Sequence, residues 1–172
     1  MQILKNEDWF HEDGFPIAVE RRDPQEAFGI HTHEFSEIVV VTGGEGLHVT
    51  GEDSWPLTTG DVFVIGGSRP HDYLNTNRLQ LTNILFQQEA LSLRLHDLPS
   101  LPGYHALFHL EPAWRQQHQF KSRLKVTSSE LTTAVQLIDQ LDCELRDRTS
   151  GFQFIATATF MQIVGHLSRC YG

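Results

Sequence analysis

The sequence has little cysteine, no long hydrophobic run and no excess of basic residues. Its 172 residues include 2 cysteines, too few for a disulfide framework. The longest purely aliphatic run, Ile38 to Val41, is far shorter than a membrane span. Lysine and arginine total 13 against 22 acidic residues, and this net charge of −9 argues against binding to a phosphate backbone. We therefore expect a cytoplasmic protein that contacts no membrane and that binds no DNA through these residues.

The first half of the chain has the pattern of an all-β fold. Short segments rich in β-branched and aromatic residues are separated by turns such as Gly43-Gly44 and Gly66-Gly67-Ser68. The predicted strands cover 18–22, 28–33, 35–42, 46–50, 62–65, 71–74 and 79–86. Strands at this spacing, with no helices between them, indicate an antiparallel sandwich or barrel.

The second half has a helical pattern. A short helix is predicted over 89–98, and 100–124 is irregular. Ser128 or Ser129 is expected to cap a helix whose apolar residues recur at steps of three and four, and Gly151 separates it from a second helix over 152–171. The short loop makes the two helices antiparallel neighbours. Such a pair can close the open end of a barrel, form a dimer interface, or do both.

The segment from His31 to Glu37 carries the strongest chemical signal. Side chains alternate along a strand, so His31, His33 and Glu37 lie on one face, together with the apolar Phe35. Polar groups that converge inside an apolar enclosure are costly unless they are partnered. Their partner is a metal ion, a polyol or one another, so we predict a site here.

A second strand is expected to contribute to the same site. His71 follows the turn at 66–70, and Tyr73 and Asn75 share its strand face. His48 is a further possible contact. Three imidazoles and one carboxylate form a donor set that suits Zn, Ni, Fe or Mn better than Ca or Mg. The predicted metal ligands are therefore His31, His33, Glu37 and His71, and the predicted ligand-binding residues add Tyr73 and Asn75.

Two stretches of the sequence resemble the two motifs of the cupin family. The spacing from His31 through His33 and Glu37 to Gly44 resembles the first motif, and the spacing from Gly60 to Asn75 resembles the second. All four positions that bind metal in metal-binding cupins are occupied. The turn positions depart from the pattern, with Gln25 where the first motif has a glycine, and Gly66 and Ser68 where the second has proline and glycine. These departures affect turn geometry more than ligation.

The remainder of the chain resembles the sensor half of AraC-type bacterial transcription regulators. The tract 102–115 with 122–124, and the segment 160–171, carry this likeness. The His-Thr-His-Glu-Phe-x-Glu stretch with 46–49 and 60–63 is most similar to activators of the L-rhamnose operons.

The resemblance implies a mainly β fold with C-terminal helices, in which a cupin barrel is followed by an antiparallel helix pair. Residues 1–98 would form the ligand-binding barrel with an N-terminal arm, and residues 99–172 a connecting segment and a two-helix dimerisation hairpin. In such regulators a DNA-binding domain with helix-turn-helix motifs follows, and we expect it to be absent here. The expected partners are a small sugar and a second copy of the chain. DNA would be bound only through the absent domain.

The residues leave alternatives open at the site and for the function. His31, His33, Glu37 and His71 could hold a metal, bind sugar hydroxyls without one, or form a structural network. The leading function is sugar sensing for transcription activation, without enzyme activity. The complete ligand set keeps a metal-dependent cupin enzyme, acting on a small sugar or related metabolite, as the alternative. A dimerisation module with an empty barrel is the third possibility.

Overall fold

The computed structural model describes residues 1–51, 53–66, 68–109 and 123–171. The chain divides into two compact units: the first comprises Met1–Asp61 and Ile65–Leu91, and the second Val62–Val64 and Ser92–Gly172. The strands are β1 Gln2–Leu4, β2 Ile17–Arg22, β3 His31–His33, β4 Ser36–Thr50, β5 Asp53–Thr58, β6 Asp61–Ile65, β7 Asp72–Phe86 and β8 Arg123–Lys125. The helices are α1 Asn6–Trp9, α2 Pro102–Tyr104, α3 Ser128–Asp147 and α4 Phe152–Cys170, with shorter helical turns at Gln88–Ala90, Leu98–Ser100 and His105–His109.

The first unit is built around the long strands β4 and β7. These strands pair in antiparallel fashion, β2 adds to the other edge of β7, and β5 pairs with β4. The segment Ile38 to Val41 is fully buried, with relative exposures of 0% for side chains on both faces of the strand. The register between β4 and β7 shifts near Gly43 and Gly44. Gly44 has a φ of +68°, and a Cβ there would collide with the Arg78 carbonyl oxygen, so only glycine fits.

Pairing across β2, β7 and β4 sets up aligned rows of side chains. Residues directly opposite each other in antiparallel strands point to the same face. One row contains Ala18, Leu85 and Glu37, and a second contains Glu20, Asn83 and Val39. A third row contains Arg22, Leu81 and Val41. Because successive rows are two residues apart, all three lie on the face that carries Glu37.

A separate two-stranded sheet carries the histidines. Strand β1 pairs in parallel with β3, so that Gln2 lies opposite His31 and Leu4 opposite His33. On its other side His31 forms an isolated antiparallel bridge with His71. Leu4 packs with Phe35 and Leu85 in a small apolar cluster. The N-terminal residues are thereby fixed beside the histidine strand.

The second unit contains the two long helices. Thr127 begins α3 with a capping box, in which its hydroxyl accepts the Glu130 amide and its own amide donates to the Glu130 carboxylate. The buried stripes are Ala134, Ile138, Leu141 and Leu145 on α3 and Ala156, Phe160, Ile163 and Leu167 on α4. Near the end of α4, His166 Nε2 lies 2.9 Å from the Glu130 carbonyl oxygen near the start of α3, so the helices are antiparallel.

The predicted fold class, mainly β with C-terminal helices, is confirmed. The helix predicted over 89–98 is wrong: only short turns form at Gln88–Ala90 and Leu98–Ser100. The predicted strands 35–42 and 46–50 are parts of one continuous strand, β4, and the predicted strands 71–74 and 79–86 are parts of β7, which begins at Asp72. Shifts in the register between β4 and β7 accommodate Gly43 and Gly44, which signalled a turn in the sequence. The predicted irregular segment 100–124 is wrong where it is described, because 102–109 are helical and Arg123 begins β8, and residues 110–122 lie outside the described ranges. No helix in the described ranges is long and apolar enough to cross a bilayer.

Candidate ligand-binding site

The four side chains predicted from the sequence as metal ligands lie close together in the first unit. His31 and His33 lie on β3, Glu37 lies near the start of β4, and His71 immediately precedes β7. All four are buried, with relative exposures of 1–6%. The imidazole centroids of His31 and His71 are 4.3 Å apart, and those of His33 and His71 are 5.3 Å apart. The side chains on one face of β3 and β4 therefore meet His71 at the start of β7.

Glu37 is the carboxylate at the centre of this group. Its Oε2 lies 3.5 Å from His33 Nε2 and 3.9 Å from His71 Nε2. His33 Nδ1 is hydrogen-bonded to the Phe35 carbonyl oxygen, which can only accept. Nδ1 therefore carries the proton, and Nε2 of a neutral His33 presents a lone pair to another acceptor, the Glu37 carboxylate. A proton or a metal cation between His33 Nε2 and Glu37 Oε2 would remove the repulsion between these two acceptors.

His31 is oriented in the same manner. Its Nδ1 donates to the Gly29 carbonyl oxygen at 2.8 Å, which leaves Nε2 as the acceptor. A histidine that donates its second ring N–H to a backbone carbonyl is the arrangement usual around metal sites. The ring of Phe28 contacts His31 edge to face, with centroids 4.9 Å apart.

The loop that orients His31 is held by Asp72. One carboxylate oxygen, Asp72 Oδ1, accepts the amides of Phe28 at 3.1 Å, Gly29 at 3.2 Å and Tyr73 at 2.8 Å. Asp72 is buried, so these backbone donors satisfy its charge. The sequence analysis did not identify Asp72, although an aspartate next to a predicted ligand on a buried strand is an available signal.

His71 is the most deeply buried of the four. Among the described residues, neither of its ring nitrogens has a hydrogen-bond partner. Burial is the largest cause of its altered acidity, and the nearby imidazoles of His31 and His48 add to it, so the pKa of His71 falls to about 2. His71 is therefore neutral at physiological pH, which is the form that binds a metal or accepts from a hydroxyl.

Three of the four predicted ligands form a group with metal-binding geometry. One donor atom each from His33, Glu37 and His71 lies within 4.8 Å of the others. Two imidazole nitrogens and a carboxylate oxygen form a donor set that fits a transition-metal ion. His31 lies beside this group in contact with His71, but its donor atom is outside the group of three.

Tyr73 extends the site, whereas Asn75 does not. Tyr73 is buried, and its ring centroid lies 5.8 Å from that of His71 and 5.5 Å from that of His48. His48 is opposite Tyr73 in the register of β4 and β7. Asn75 is exposed and has a φ of 49°, because the pairing of β7 becomes irregular after Leu74. The alternation that predicts Asn75 on the His71 face is interrupted there.

A cavity opens beside this cluster. It is small, with a volume of about 40 Å³, and it is open to solvent on one side. Leu4 and Trp9 from the N-terminal segment form part of its wall. It is lined by Leu4, Trp9, Glu20, Arg22, Gln25, Phe28, His31, Glu37, His71, Tyr73, Asn83 and Leu85.

The sequence analysis missed Glu20, Arg22 and Asn83 as lining residues. Alternation along the predicted strand 18–22 sets Glu20 and Arg22 on one face, and Asn83 is a polar residue inside an apolar strand. Both signals were present. What the sequence lacked was the register that brings β2 opposite β7, which is a long-range property of the fold.

Comparison with known proteins gives a consistent family match. Residues 16–147 match the family described as the AraC-like ligand binding domain. The chain is 35% identical over 169 residues to the HTH-type transcriptional activator RhaR of Escherichia coli O139:H28, covering 98% of this chain and 56% of that protein. It is 35% identical over 168 residues to RhaR of Salmonella agona, covering 97% and 55%. The chain thus spans about half the length of the curated relatives it matches.

Solved structures with a cupin description are more distant. A cupin-2 domain containing protein from Shewanella frigidimarina aligns with 41% of this chain and 69% of its own at a TM-score of 0.35 and 17% identity. A cupin 2 conserved barrel domain protein from Salinispora arenicola aligns with 42% and 63% at a TM-score of 0.36 and 20% identity.

Proposed function

The chain belongs to the family of AraC-like ligand-binding domains, and we propose that it is the effector-sensing domain of a sugar-responsive transcription activator, with L-rhamnose as the leading effector. The relatives are HTH-type transcriptional activators named RhaR, which supports a regulatory role over an enzymatic one. DNA binding would belong to a helix-turn-helix domain outside these 172 residues. The net charge of −9 agrees with this assignment, because an acidic surface repels the DNA phosphate backbone.

The observation that carries this proposal is the buried polar cluster at the wall of a cavity. His31, Glu37 and His71 line it, and their remaining lone pairs have no other described hydrogen-bond donors. A polyol supplies several hydroxyl groups, each able to donate and to accept. Sugar binding would therefore satisfy groups whose burial is otherwise costly.

We propose distinct roles for the site residues. His31, His71 and Glu37 accept hydrogen bonds from ligand hydroxyls, and Tyr73 and His48 form the adjoining aromatic wall. Asn75 is left out of this proposal because it is exposed on β7.

A divalent transition metal, Zn, Ni, Fe or Mn, is a possible cofactor of the same site. His33, Glu37 and His71 would hold it. When bound, a metal would supply positive charge and coordination positions for ligand oxygens. His33 is oriented for this role because its Nδ1 proton is already donated to the Phe35 carbonyl.

Two functional regions are proposed within the chain. Residues 1–98 would form the sensing barrel with its N-terminal arm, and residues 99–172 a connecting segment and a dimerisation hairpin. Homodimer formation is supported by apolar side chains exposed on α4, namely Phe154, Ile155 and Met161, with relative exposures of 79%, 46% and 36%. Phe154 and Met161 are seven residues apart and so lie on one helix face.

The N-terminal arm is the proposed route from ligand to output. Leu4 and Trp9 belong both to this segment and to the cavity wall. A ligand that contacts them would favour one arrangement of the arm over another. The shift in the equilibrium between the two arrangements is limited by the difference in the affinity of each arrangement for the ligand.

The proposal is tested by thermal unfolding of the purified chain against a panel of sugars led by L-rhamnose, with and without a chelator. A ligand at 100 times its Kd stabilises the folded state by about 2.7 kcal/mol, a rise of roughly 5–10 °C for a chain of this size. A rise with one sugar that persists in chelator identifies a metal-free sensor, and a rise abolished by chelator identifies a metal-dependent one. No rise with any sugar overturns the sensing proposal.

The metal-binding group favours one second candidate, a metal-dependent cupin enzyme acting on a small sugar or related metabolite. Conversion of the sugar would be followed by NMR after incubation of the metal-loaded protein with each sugar that stabilises it. Turnover would replace the sensor proposal, and unchanged sugar would exclude this activity for the compounds tested.

A further inference from the structure

The same cavity contains a second polar group, which begins one row of side chains away from Glu37, and we infer that Glu20, Arg22 and Asn83 form a subsite for the hydroxyl groups of a neutral polyol. This inference rests on the proposed sugar-sensing function. It adds a specific prediction, namely that this subsite selects between stereoisomers of the sugar and disfavours anionic derivatives.

The register of three strands brings these residues to one face. Glu20 lies opposite Asn83 across β2 and β7, and Arg22 lies in the next row opposite Leu81. Glu37 occupies the row before Asn83, opposite Leu85. Rows two residues apart are separated by about 7 Å, so one small polyol can contact Glu37 at one end and Asn83 at the other.

Asn83 is the residue that points to a missing partner. Its relative exposure is 7%, it lines the cavity, and no described residue provides a hydrogen-bond donor for its Oδ1. A buried amide oxygen without a donor costs about 1–3 kcal/mol. The side chains in its row are Val39 and Glu20, and neither of them can donate a hydrogen bond. A ligand hydroxyl in the cavity supplies that donor.

Glu20 and Arg22 complete the hydrogen-bonding set. Arg22 Nη2 lies 3.8 Å from Glu20 Oε2, and the side chains are 38% and 35% exposed, so both remain accessible from the cavity. The Arg22 guanidinium also lies over the Trp9 ring, 5.5 Å from its centroid. The guanidinium thus lies between the Glu20 carboxylate and the Trp9 ring, and its remaining N–H groups are available to donate to a ligand oxygen.

The charge of the lining selects the class of ligand. Among the described lining residues, the carboxylates of Glu20 and Glu37 face a single guanidinium, Arg22, which is already paired with Glu20. In the metal-free site, a carboxylate or phosphate on the ligand would meet net negative charge in a partly desolvated space. A ligand with many hydroxyl donors matches these acceptors. The subsite therefore fits a neutral sugar and disfavours a sugar acid or sugar phosphate.

The test is calorimetric titration of the purified chain with L-rhamnose, with its epimers that invert one hydroxyl, and with the carboxylate L-rhamnonate. We expect Asn83→Leu to weaken L-rhamnose binding about tenfold and to reduce the difference between L-rhamnose and the epimer whose altered hydroxyl faces Asn83. Thr82→Val, on the other face of β7, is the matched control and should bind as the wild type does. Wild-type protein should bind L-rhamnonate at least tenfold more weakly than L-rhamnose.

The outcomes separate this inference from the function on which it rests. If wild-type protein binds a neutral sugar but Asn83→Leu binds it equally well, the subsite is wrong and the sensing function stands. Equal binding of L-rhamnonate and L-rhamnose also overturns the subsite. If wild-type protein binds no sugar, both proposals fail. Glu20→Gln, a nearly isosteric change at a partly exposed position, covers the case in which Asn83→Leu does not fold. It should narrow the preference of the protein for L-rhamnose over L-rhamnonate, and an unchanged preference contradicts the inference.

Discussion

Asp72 and Gly29 are joined by a hydrogen bond of 3.2 Å, from the Gly29 amide to the Asp72 carboxylate, although 43 residues separate them in the chain. The Gly29 carbonyl in turn accepts the Nδ1 proton of His31. This relay connects the start of β7 to a histidine on β3. It makes Asp72 a positioning residue for the site.

Replacement of Asp72 should disturb both stability and the orientation of His31. Asp72→Ala leaves the buried Tyr73 amide and the partly buried Phe28 and Gly29 amides without this acceptor, and we expect a loss of about 1–3 kcal/mol in the free energy of unfolding. Asp72→Asn keeps an acceptor oxygen and should lose less. Nitrogen-15 NMR of the histidine rings checks the second effect: in Asp72→Ala the His31 Nδ1–H signal should broaden or shift, and in Asp72→Asn it should persist. An unchanged His31 signal in both variants would limit Asp72 to a structural role.

The metal proposal predicts dependence on Glu37. Titration of the protein with Co²⁺ should produce visible absorption bands of a protein-bound ion in the wild type. Glu37→Gln removes the anionic ligand and should weaken metal binding at least tenfold, since carboxylate charge offsets that of the cation. His11→Ala changes an exposed histidine outside the group of three and serves as the control. Equal Co²⁺ spectra for wild type and Glu37→Gln would rule out this site.

Stability should depend on pH through His71. Its folded-state pKa of about 2 lies below the value of about 6.5 expected in the unfolded chain. Below pH 6.5 the unfolded state therefore binds a proton that the folded state does not, and stability falls by about 1.4 kcal/mol per pH unit from this group. At higher pH the contribution is constant.

This pH dependence is measured by urea unfolding between pH 7.5 and 5.5 in metal-free buffer. His71→Leu should show a smaller fall in stability than the wild type, with the difference developing below pH 6.5. Thr82→Val, on the strand that follows His71 and without a titratable group, should retain the wild-type dependence. Parallel curves for wild type and His71→Leu would contradict the prediction.

The dimer proposal predicts that a charge on α4 dissociates the protein. Phe154→Glu places a carboxylate in an exposed apolar patch, so a dimer formed there should become monomeric while the fold persists. Light scattering coupled to size-exclusion chromatography measures the mass, and circular dichroism checks the helices. Gln153→Glu adds the same charge at the neighbouring exposed position and should leave the dimer intact. A monomeric wild type would remove the basis of this proposal.

The start of α3 offers a local test of stability. Thr127→Ala removes the hydroxyl that accepts the Glu130 amide, and we expect a loss of about 1 kcal/mol in the free energy of unfolding. Ser129→Ala should have a smaller effect, because Ser129 lies within the helix. Urea denaturation of the two variants distinguishes the positions, and a larger loss in Ser129→Ala would contradict the assigned cap.

The N-cap of α3 is Thr127, whereas the sequence predicted Ser128 or Ser129, and the difference shows how little a single residue type determines a helix boundary. Thr127, Ser128 and Ser129 are all good caps, and the sequence favoured Ser128 or Ser129. The selection depends on Glu130, whose carboxylate reaches back to the Thr127 amide. A search for the paired threonine and glutamate would have found it. The helices themselves were predictable, since their apolar spacing is strong and Gly151 separates them.

Some residues of the site could be predicted from a single strand, and others depend on how distant strands pair. The convergence of His31, His33 and Glu37 follows from alternation over a few residues. Asn75 departs from its predicted face because register shifts between β4 and β7 are absorbed near it. Asn83 was missed because its importance depends on a partner strand more than 60 residues earlier in the chain. Side-chain alternation predicts which residues share a face within one regular strand. It does not predict this across a β-bulge, and it does not identify the residues that lie opposite on a partner strand.

The parallel pairing of β1 with β3 has a consequence for how the protein should be handled. Gln2 is aligned with His31 and Leu4 with His33, so anything attached to Met1 emerges beside the histidine strand. A polyhistidine affinity tag at that end would bring extra metal-binding groups close to the cavity and could displace the short strand. Measured affinities for metals or sugars would then report on the tag as well as on the protein. A purification handle at the other end of the chain, or its complete removal by protease, avoids this artefact.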